Sequence, residues 1–193
     1  MPKKPNAELA REIWSETVDI KDTVTHRYLV SRGITTLDFD DVRHHPNQKH
    51  FASGRCFPAM IAAVRKWPNT TITGIQITYL MPDGSGKADV EPQRISLGEI
   101  GGGGVQLRKP TESNLGVAEG IETALSVVQA IALPTWAVLS AVNYKKLDIP
   151  ETIEKVLVAT DNDENGVGLN AARKAAAEYY KTGIEDVRIR GRG

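Results

Sequence analysis

The fold is decided by residues 156–166, which read VLVATDNDENG, and by residues 117–125, which read VAEGIETAL. Each stretch is a short apolar run that ends in acid and is followed by glycine and a helical pattern. Open α/β sheets bind their ligands at the carboxyl ends of their strands, so these two strands would bring Glu119, Asp161 and Asp163 to one crevice. Carboxylate oxygens suit Mg²⁺, which usually shares its shell with water and substrate phosphates. The two stretches therefore predict a divalent-metal site in an α/β domain.

Strand and helix patterns alternate through the second half of the chain. We predict strands at residues 115–118, 135–139, 155–159 and 187–189, with a short helical stretch near 143–147. One helix is predicted by the spacing of its apolar residues, which are Ile121, Ala124, Leu125, Val128 and Ala132. A second helix, at 165–181, is rich in alanine and is stopped by Gly183. This alternation implies a small parallel sheet with right-handed crossovers.

The first half of the chain has a different pattern, typical of an α+β domain with mixed or antiparallel strands. We predict helices at 6–18 and 22–32, with Gly33 ending the second. Strand-like runs follow at 56–64, 70–80 and 94–97, with a hairpin-type turn at 81–84. The glycine run 101–104 is interpreted as a flexible turn, and residues 109–114 have the composition of a linker. We therefore predict two domains, at residues 1–110 and 113–193.

Composition excludes several classes of protein. Lys plus Arg and Asp plus Glu number 24 each, which argues against a strongly basic protein that coats duplex DNA. The single cysteine, Cys56, excludes a disulfide framework or a cysteine-based zinc site within this chain. The N-terminal residues are followed by no apolar core, and no apolar run reaches 18 residues. These features predict a cytoplasmic protein without a signal peptide or membrane span.

Several motifs in order resemble Toprim proteins, and among them the catalytic core of bacterial primases. Glu119-Gly120 and Asp161-Asn162-Asp163 with Gly166 match the two Toprim motifs. Residues 28–34 (YLVSRGI) and 54–59 (GRCFPA) are similar to two elements of the primase core. Segments 73–80, 86–88 and 94–98 follow in family order. The resemblance covers nearly the whole chain and is closest to the Toprim primases of phages, plasmids and mobile elements, many of them fused to helicases.

The resemblance implies a fold, a reaction and a set of site residues. The fold would be a C-terminal Toprim-like parallel sheet flanked by helices, with an N-terminal α+β primase-core-like lobe. The reaction would be metal-dependent nucleotidyl transfer from nucleoside triphosphates on single-stranded DNA. Glu119, Asp161 and Asp163 would be catalytic residues and the ligands of Mg²⁺ or Mn²⁺. The resemblance also implies a replicative helicase, or a fused helicase domain, as partner. The nucleotide or nucleic-acid contacts would be Arg55, Lys87 and Arg94.

Two other functions stay open, and several residues have simpler interpretations. Thr123 stands where bacterial replicative primases carry another acid, and the zinc-binding and helicase-contacting modules of those primases are not in this sequence. A Toprim metal-dependent nuclease, or a non-catalytic nucleic-acid-binding module, is therefore an alternative. The calcium-loop pattern at 161–166 lacks the bidentate glutamate at its twelfth position. Arg55, Lys87 and Arg94 could be ordinary surface charges. His44 and His45 are interpreted as loop residues, and Tyr179 and Tyr180 as packing residues.

Overall fold

The chain forms two compact units. The structure, a computed structural model, describes residues 6–110, 112–160 and 167–191. One unit comprises Met1–Arg65 and Thr71–Ile100, and the other comprises Lys66–Thr70 and Gly101–Gly193. The domain bounds drawn from the sequence, 1–110 and 113–193, stay a prediction. In the described part of the chain, no helix is both long and apolar enough to cross a membrane.

The first unit is an antiparallel sheet with two helices. Its helices are α1 (Asn6–Ser15) and α2 (Val24–Ser31). Its strands pair in the order β1-β2-β3-β4, with every pair antiparallel. Helix α1 packs on β3 and β4, and α2 packs on β1 and β2. The strands are β1 (Val42–Lys49), β2 (Cys56–Arg65), β3 (Ile72–Tyr79) and β4 (Arg94–Gly98).

Local sequence explains where α2 begins and ends. The side chain of Thr23 accepts a hydrogen bond from the backbone N–H of His26, which satisfies one of the free donors of the first turn. Arg32 is the C-cap, and Gly33 follows it with φ of +78°. Glycine adopts this left-handed conformation without the steric cost that a side chain brings. The helix end that the sequence predicted at Gly33 is therefore present.

Strand β1 was not predicted from the sequence, and the interpretation of His44 and His45 as loop residues is wrong. Both histidines lie in β1 and are buried. The strand is largely polar and contains Pro46, which cannot donate to a sheet ladder. The register between β1 and β2 shifts between His45 and Gln48, and this irregularity accommodates the proline. An edge position makes such a strand possible, since β2 is the only strand paired with it and its outer side is bonded at His44 alone, by an isolated bridge to Val18.

The second unit is a five-stranded sheet with the order β5-β7-β6-β8-β9. Strands β7, β6, β8 and β9 are parallel, while the two-residue edge strand β5 is antiparallel to β7. A mostly parallel sheet after an antiparallel α+β unit confirms the predicted fold class. Its elements are β5 (Val105–Gln106), β6 (Asn114–Ala118), α3 (Ile121–Ile131), β7 (Thr135–Ala137), a 3₁₀ helix (Ala141–Lys146), β8 (Lys155–Thr160), α4 (Val167–Lys181) and β9 (Asp186–Gly191).

Helices α3 and α4 lie on opposite faces of this sheet. Helix α4 packs on β8 and β9, and the core on its side includes Val156 and Val158 of β8 together with Ala172 and Tyr179 of α4. The hydroxyl of Tyr179 donates to the carbonyl oxygen of Tyr144 across 3.1 Å, so Tyr179 is a packing residue. Helix α3 packs mainly on β6 and β7. Successive residues of β8 point to opposite faces of the sheet, so its apolar residues alternate between the α4 side and the α3 side.

The glycine run before β5 contains the predicted turn, at residues 101–102, and its second half packs into the second unit. Gly103 and Gly104 are buried. The side chain of Asn143, itself buried, accepts from the N–H of Gly102 across 2.9 Å and donates to the carbonyl oxygen of Gly103 across 2.8 Å. A Cβ on Gly104 would lie 3.2 Å from both the carbonyl oxygen of Ala137 and the Leu147 side chain. Close packing therefore explains the glycine at position 104.

Candidate functional site

Two neighbouring parallel strands end together at one edge of the second sheet. Ala118 of β6 is the direct partner of Ala159 of β8. Glu119 follows β6, and Thr160, which is buried, is the last residue of β8. Since the carboxyl ends of parallel strands meet at the same edge, this is where an open α/β sheet binds its ligands. The sequence predicted a site at this edge, and the strands that bound it are in place.

Glu119 lies between the end of β6 and the start of α3. Its carbonyl oxygen accepts a hydrogen bond from the N–H of Leu139 across 2.9 Å, and that of Ala118 accepts from Val138 across the same distance. Gly120 is the N-cap of α3 and has an extended conformation. The side chain of Glu119 is exposed. The backbone of this residue is therefore held by the segment that follows β7, while its carboxylate is open to a ligand.

The segment that holds Glu119 carries two features that the sequence did not predict. Leu139 has φ of +66°, a conformation that L-residues with large side chains rarely adopt. Asn143 donates to the carbonyl oxygen of Val138 across 3.0 Å, in addition to its bonds with the glycine segment. Strained backbone of this kind occurs at ligand-binding sites when the surrounding contacts enforce it. Nothing in the local sequence distinguishes this leucine or this asparagine from ordinary residues.

The predicted metal ligands are divided between described and undescribed parts of the chain. Asp161 and Asp163 lie outside the described residues, so their placement stays a prediction. Within residues 6–110, 112–160 and 167–191, no group of three His, Cys, Asp or Glu side chains could hold a metal ion. Glu119 itself has the chemistry that Mg²⁺ and Mn²⁺ take, an exposed carboxylate at a strand end. A complete metal site around Glu119 would therefore need Asp161 and Asp163, which follow Thr160 in the sequence.

The three predicted phosphate contacts lie at one end of the first sheet. Arg55 immediately precedes β2, Lys87 is bridged to Leu80 just after β3, and Arg94 begins β4 opposite Thr78. Because β2 and β4 are both antiparallel to β3, these three positions are at the same end of the sheet. Arg55 and Arg94 are exposed and Lys87 is half-buried. Their role as phosphate contacts stays a prediction.

A buried histidine fixes the loop that carries Arg55. The backbone N–H of His50 donates to the carbonyl oxygen of Arg55 across 2.7 Å. The Nε2 of His50 lies 3.1 Å from the carbonyl oxygen of Pro92, so Nε2 carries the proton and Nδ1 accepts from the Ser53 hydroxyl, 2.8 Å away.

The ring of His50 also packs edge-on against Tyr79, at 4.8 Å between centroids. Burial raises the pKa of Tyr79 to about 12. The guanidinium of Arg55 lies over the ring of Phe57, 5.0 Å from its centroid.

Comparisons with known proteins agree with this architecture. A family model described as Domain of unknown function (DUF7146) matches residues 4–107, and one described as Toprim domain matches residues 114–190. No curated protein matches the sequence. Among solved structures, a DNA primase domain from Pseudomonas aeruginosa matches with 15% sequence identity and a TM-score of 0.62 over 97% of this chain and 71% of that one.

Two further solved structures match over smaller shares of their own length. The primase of Aquifex aeolicus, comprising zinc-binding and RNA polymerase domains, is 14% identical with a TM-score of 0.55, over 97% of this chain and 53% of that chain. The DnaG catalytic core is 18% identical with a TM-score of 0.50, over 69% and 44%. The chain thus spans about half the length of these two. At these identities the likeness shows the fold, so the predicted Toprim and primase-core architecture is confirmed.

Proposed function

Because the chain belongs to the family described as Domain of unknown function (DUF7146) and carries a Toprim domain, we propose that it is a primase-type nucleotidyltransferase. It would join nucleotides from nucleoside triphosphates into a primer on a single-stranded DNA template. The proposal combines a site at the carboxyl edge of the second sheet with basic residues of the first unit.

The observation that carries the proposal is the pairing of Ala118 with Ala159. It sets Glu119 one residue beyond β6 at the edge where β8 also ends. The sequence after β8 continues with Asp161 and Asp163. Acidic residues following two adjacent parallel strands are an arrangement suited to divalent-metal and phosphate chemistry.

The proposed roles divide between acidic and basic residues. Glu119, Asp161 and Asp163 would hold Mg²⁺ or Mn²⁺ and act as ligands rather than as proton-transfer groups. When bound, a divalent ion supplies activation of the attacking hydroxyl and neutralisation of charge on the triphosphate. Arg55, Lys87 and Arg94 would contact phosphates, which positions the substrate without reading its sequence. Holding template and nucleotide together supplies much of the rate in such a reaction.

The proposed setting follows from the same resemblance. The enzyme would act in the cytoplasm, in the replication of a phage or other mobile element. A replicative helicase, free or fused, would be its partner. The chain has no net charge at neutral pH, so it receives little electrostatic help in collecting single-stranded DNA. We therefore expect a helicase to raise primer synthesis by the chain far more than added Mg²⁺ does.

Primer synthesis in solution tests the proposal. The chain would be incubated with single-stranded circular DNA, labelled nucleoside triphosphates and Mn²⁺, with and without a replicative helicase. We expect short labelled products that Glu119→Gln abolishes. The matched control is Glu151→Gln, an exposed acid that precedes β8 at the opposite end of that strand. Degradation of the DNA would instead favour a nuclease. If the chain neither synthesises primers nor degrades the DNA, even with helicase present, the result would favour a non-catalytic binding module.

A further inference from the structure

The described residues leave half of one face of the second sheet uncovered, and this half forms an open trough. Helix α3 packs on β6 and β7 on this face, while α4 lies on the other. The residues of β8 and β9 that point away from α4 pair as Lys155 with Asp186, Leu157 with Arg188 and Ala159 with Arg190. Together with α3 they line a cavity of about 640 Å³. We call this cavity, bounded by α3, β8 and β9, the α3–β9 trough.

The dimensions of the α3–β9 trough match an α-helix. Strand β8 has six residues, which corresponds to a length of roughly 20 Å at about 3.3 Å per residue. An α-helix rises about 1.5 Å per residue, so about 13 residues span the trough. Its neighbour α3 has 11 residues. Parallel sheets are normally covered by helices on both faces, and helices in one layer pack about 8–10 Å apart.

The walls of the trough combine apolar and basic side chains. Leu157 is half-buried on its floor, and Ile131 at the end of α3 is 60% exposed on its rim. Large apolar side chains left exposed around a concave surface favour contact with another apolar surface. The lining contains three basic residues and one acidic residue, Asp186, which accepts a hydrogen bond from Arg188 across 3.0 Å. Lys155 and Arg190 are exposed at the two ends of the strand pair. A complementary helix lying along β8 would therefore be apolar along its centre and acidic at its two ends.

Nucleic acid fits this lining less well than a protein helix does. Single-stranded nucleic acid is held by stacking of bases on aromatic rings in addition to phosphate contacts. The described residues that line the trough include no aromatic side chain. An amphipathic helix in a groove needs apolar contacts along one stripe, which the trough lining offers, and Lys155 and Arg190 offer matching charges at its two ends.

We propose that the α3–β9 trough binds an amphipathic α-helix of a partner protein. The apolar residues of that helix lie on Leu157 and Ile131, and its acidic residues face Lys155 and Arg190. Thr160 at one end of the trough also borders the candidate site, but the test of this proposal uses neither Glu119 nor the basic residues of the first unit, so it can fail or succeed separately from the proposed reaction.

A designed peptide tests the proposal on the full chain. The probe is a fluorescein-labelled peptide of about 13 residues, with leucine at helical spacing along one face and glutamate near both of its ends. We expect saturable binding by fluorescence anisotropy, with a Kd on the order of 10–100 µM. Replacing the glutamates by lysine should weaken binding by at least about tenfold. A peptide of the same composition with its leucines scattered around the helix should not saturate.

Variants of the chain locate the binding surface. Ile131→Glu and Arg190→Glu should each weaken peptide binding by about tenfold. Lys174→Glu is the matched control, because Lys174 is exposed on α4 at the opposite face, and it should leave the affinity unchanged. Far-ultraviolet circular dichroism verifies that each variant is folded.

Four outcomes would overturn the proposal. They are the absence of saturable binding by the glutamate peptide, an equal loss of affinity in Lys174→Glu, displacement of the peptide by single-stranded DNA, and a dimer of the chain that Ile131→Glu dissociates in analytical ultracentrifugation. The last two would assign the trough to nucleic acid or to a second copy of this chain.

Discussion

The backbone N–H of Leu139 donates a hydrogen bond to the carbonyl oxygen of Glu119 across 2.9 Å. This bond ties the residue after β6 to the segment after β7, and Leu139 adopts a left-handed conformation to make it. The main chain of Glu119 is therefore fixed from outside its own strand. The consequence is that the exposed carboxylate of Glu119 starts from a defined position at the edge of the sheet.

Glu119→Gln should weaken Mn²⁺ binding, because an amide oxygen carries no negative charge to offer the ion. We expect a loss in affinity of about tenfold or more, measured by calorimetric titration of the full chain. Leu139→Gly is a useful control, since glycine keeps the N–H donor and adopts the same φ without strain. It should leave Mn²⁺ affinity unchanged. Equal affinity in wild type and Glu119→Gln would remove Glu119 from the ligand set.

Replacing Arg55, Lys87 and Arg94 together by alanine should weaken binding of single-stranded DNA and reduce its dependence on salt. Each lost phosphate contact lowers the slope of log affinity against log salt by about 0.7 for a single strand. The measurement is a filter-binding or anisotropy series across salt concentrations. Lys21→Ala, an exposed lysine of the same unit, should leave the slope unchanged. If the triple variant keeps the wild-type slope, these residues are ordinary surface charges.

His44 should make the fold sensitive to acid. Burial lowers the pKa of His44, and the nearby positive charges of His45 and Arg27 lower it further. Its ring lies 2.9 Å from the hydroxyl of Thr25. The unfolded chain, with an ordinary histidine pKa of 6.5, therefore binds the proton more readily than the folded chain. Neutral His44 therefore makes its full contribution to the stability of the fold at a pH above the ordinary histidine pKa. This contribution is lost as the pH falls below that pKa and then through the lowered pKa of His44 in the folded state.

Thermal unfolding at a series of pH values measures this effect. We expect the melting temperature to fall between about pH 7 and about pH 5, and His44→Gln to make this fall smaller. Gln48→Ala, at a buried residue of the same strand that carries no titratable group, serves as the control and should keep the wild-type slope. An unchanged slope in His44→Gln would show that other groups govern the acid sensitivity.

Gly98→Ala should destabilise the first unit. Gly98 ends β4 with φ of +89°, and an added Cβ would lie 2.5 Å from the carbonyl oxygen of Thr73. A left-handed conformation alone costs an alanine about 1–2 kcal/mol, and the contact adds to it. Gly86→Ala is matched to it, because Gly86 lies in the same unit and a Cβ there meets no atom within 4 Å. Urea unfolding should give a lower midpoint for Gly98→Ala only; equal midpoints for both variants would contradict the described end of β4.

Much of the fold could be predicted from the sequence because its strongest signals are local. The helix that ends before Gly33 and the strand-helix alternation after residue 114 both follow from periodicity and glycine placement. Strand β1 could not be predicted, since its residues are polar and include Pro46, and it is a strand because of its pairing with β2 and the bridge from His44 to Val18. The two-residue strand β5 depends in the same way on its partner β7.

The candidate site was predictable in part for the same reason. Glu119 follows an apolar strand and precedes a helix, and both are visible in the sequence. The contributions of Leu139 and Asn143 depend on contacts between segments that are distant in sequence, such as the bond from Asn143 to Gly103. No short-range pattern encodes such contacts, so the surroundings of the site required the structure.

The central claim is that Glu119, Asp161 and Asp163 hold one divalent ion, and calorimetric titration with Mn²⁺ tests it most directly. The comparison is between the wild-type chain and the double variant Asp161→Asn with Asp163→Asn, with circular dichroism to verify that both are folded. We predict that the wild type binds Mn²⁺ and that the double variant does not, while its fold survives because removing clustered like charges relieves repulsion. Unchanged Mn²⁺ affinity in the double variant would contradict the claim.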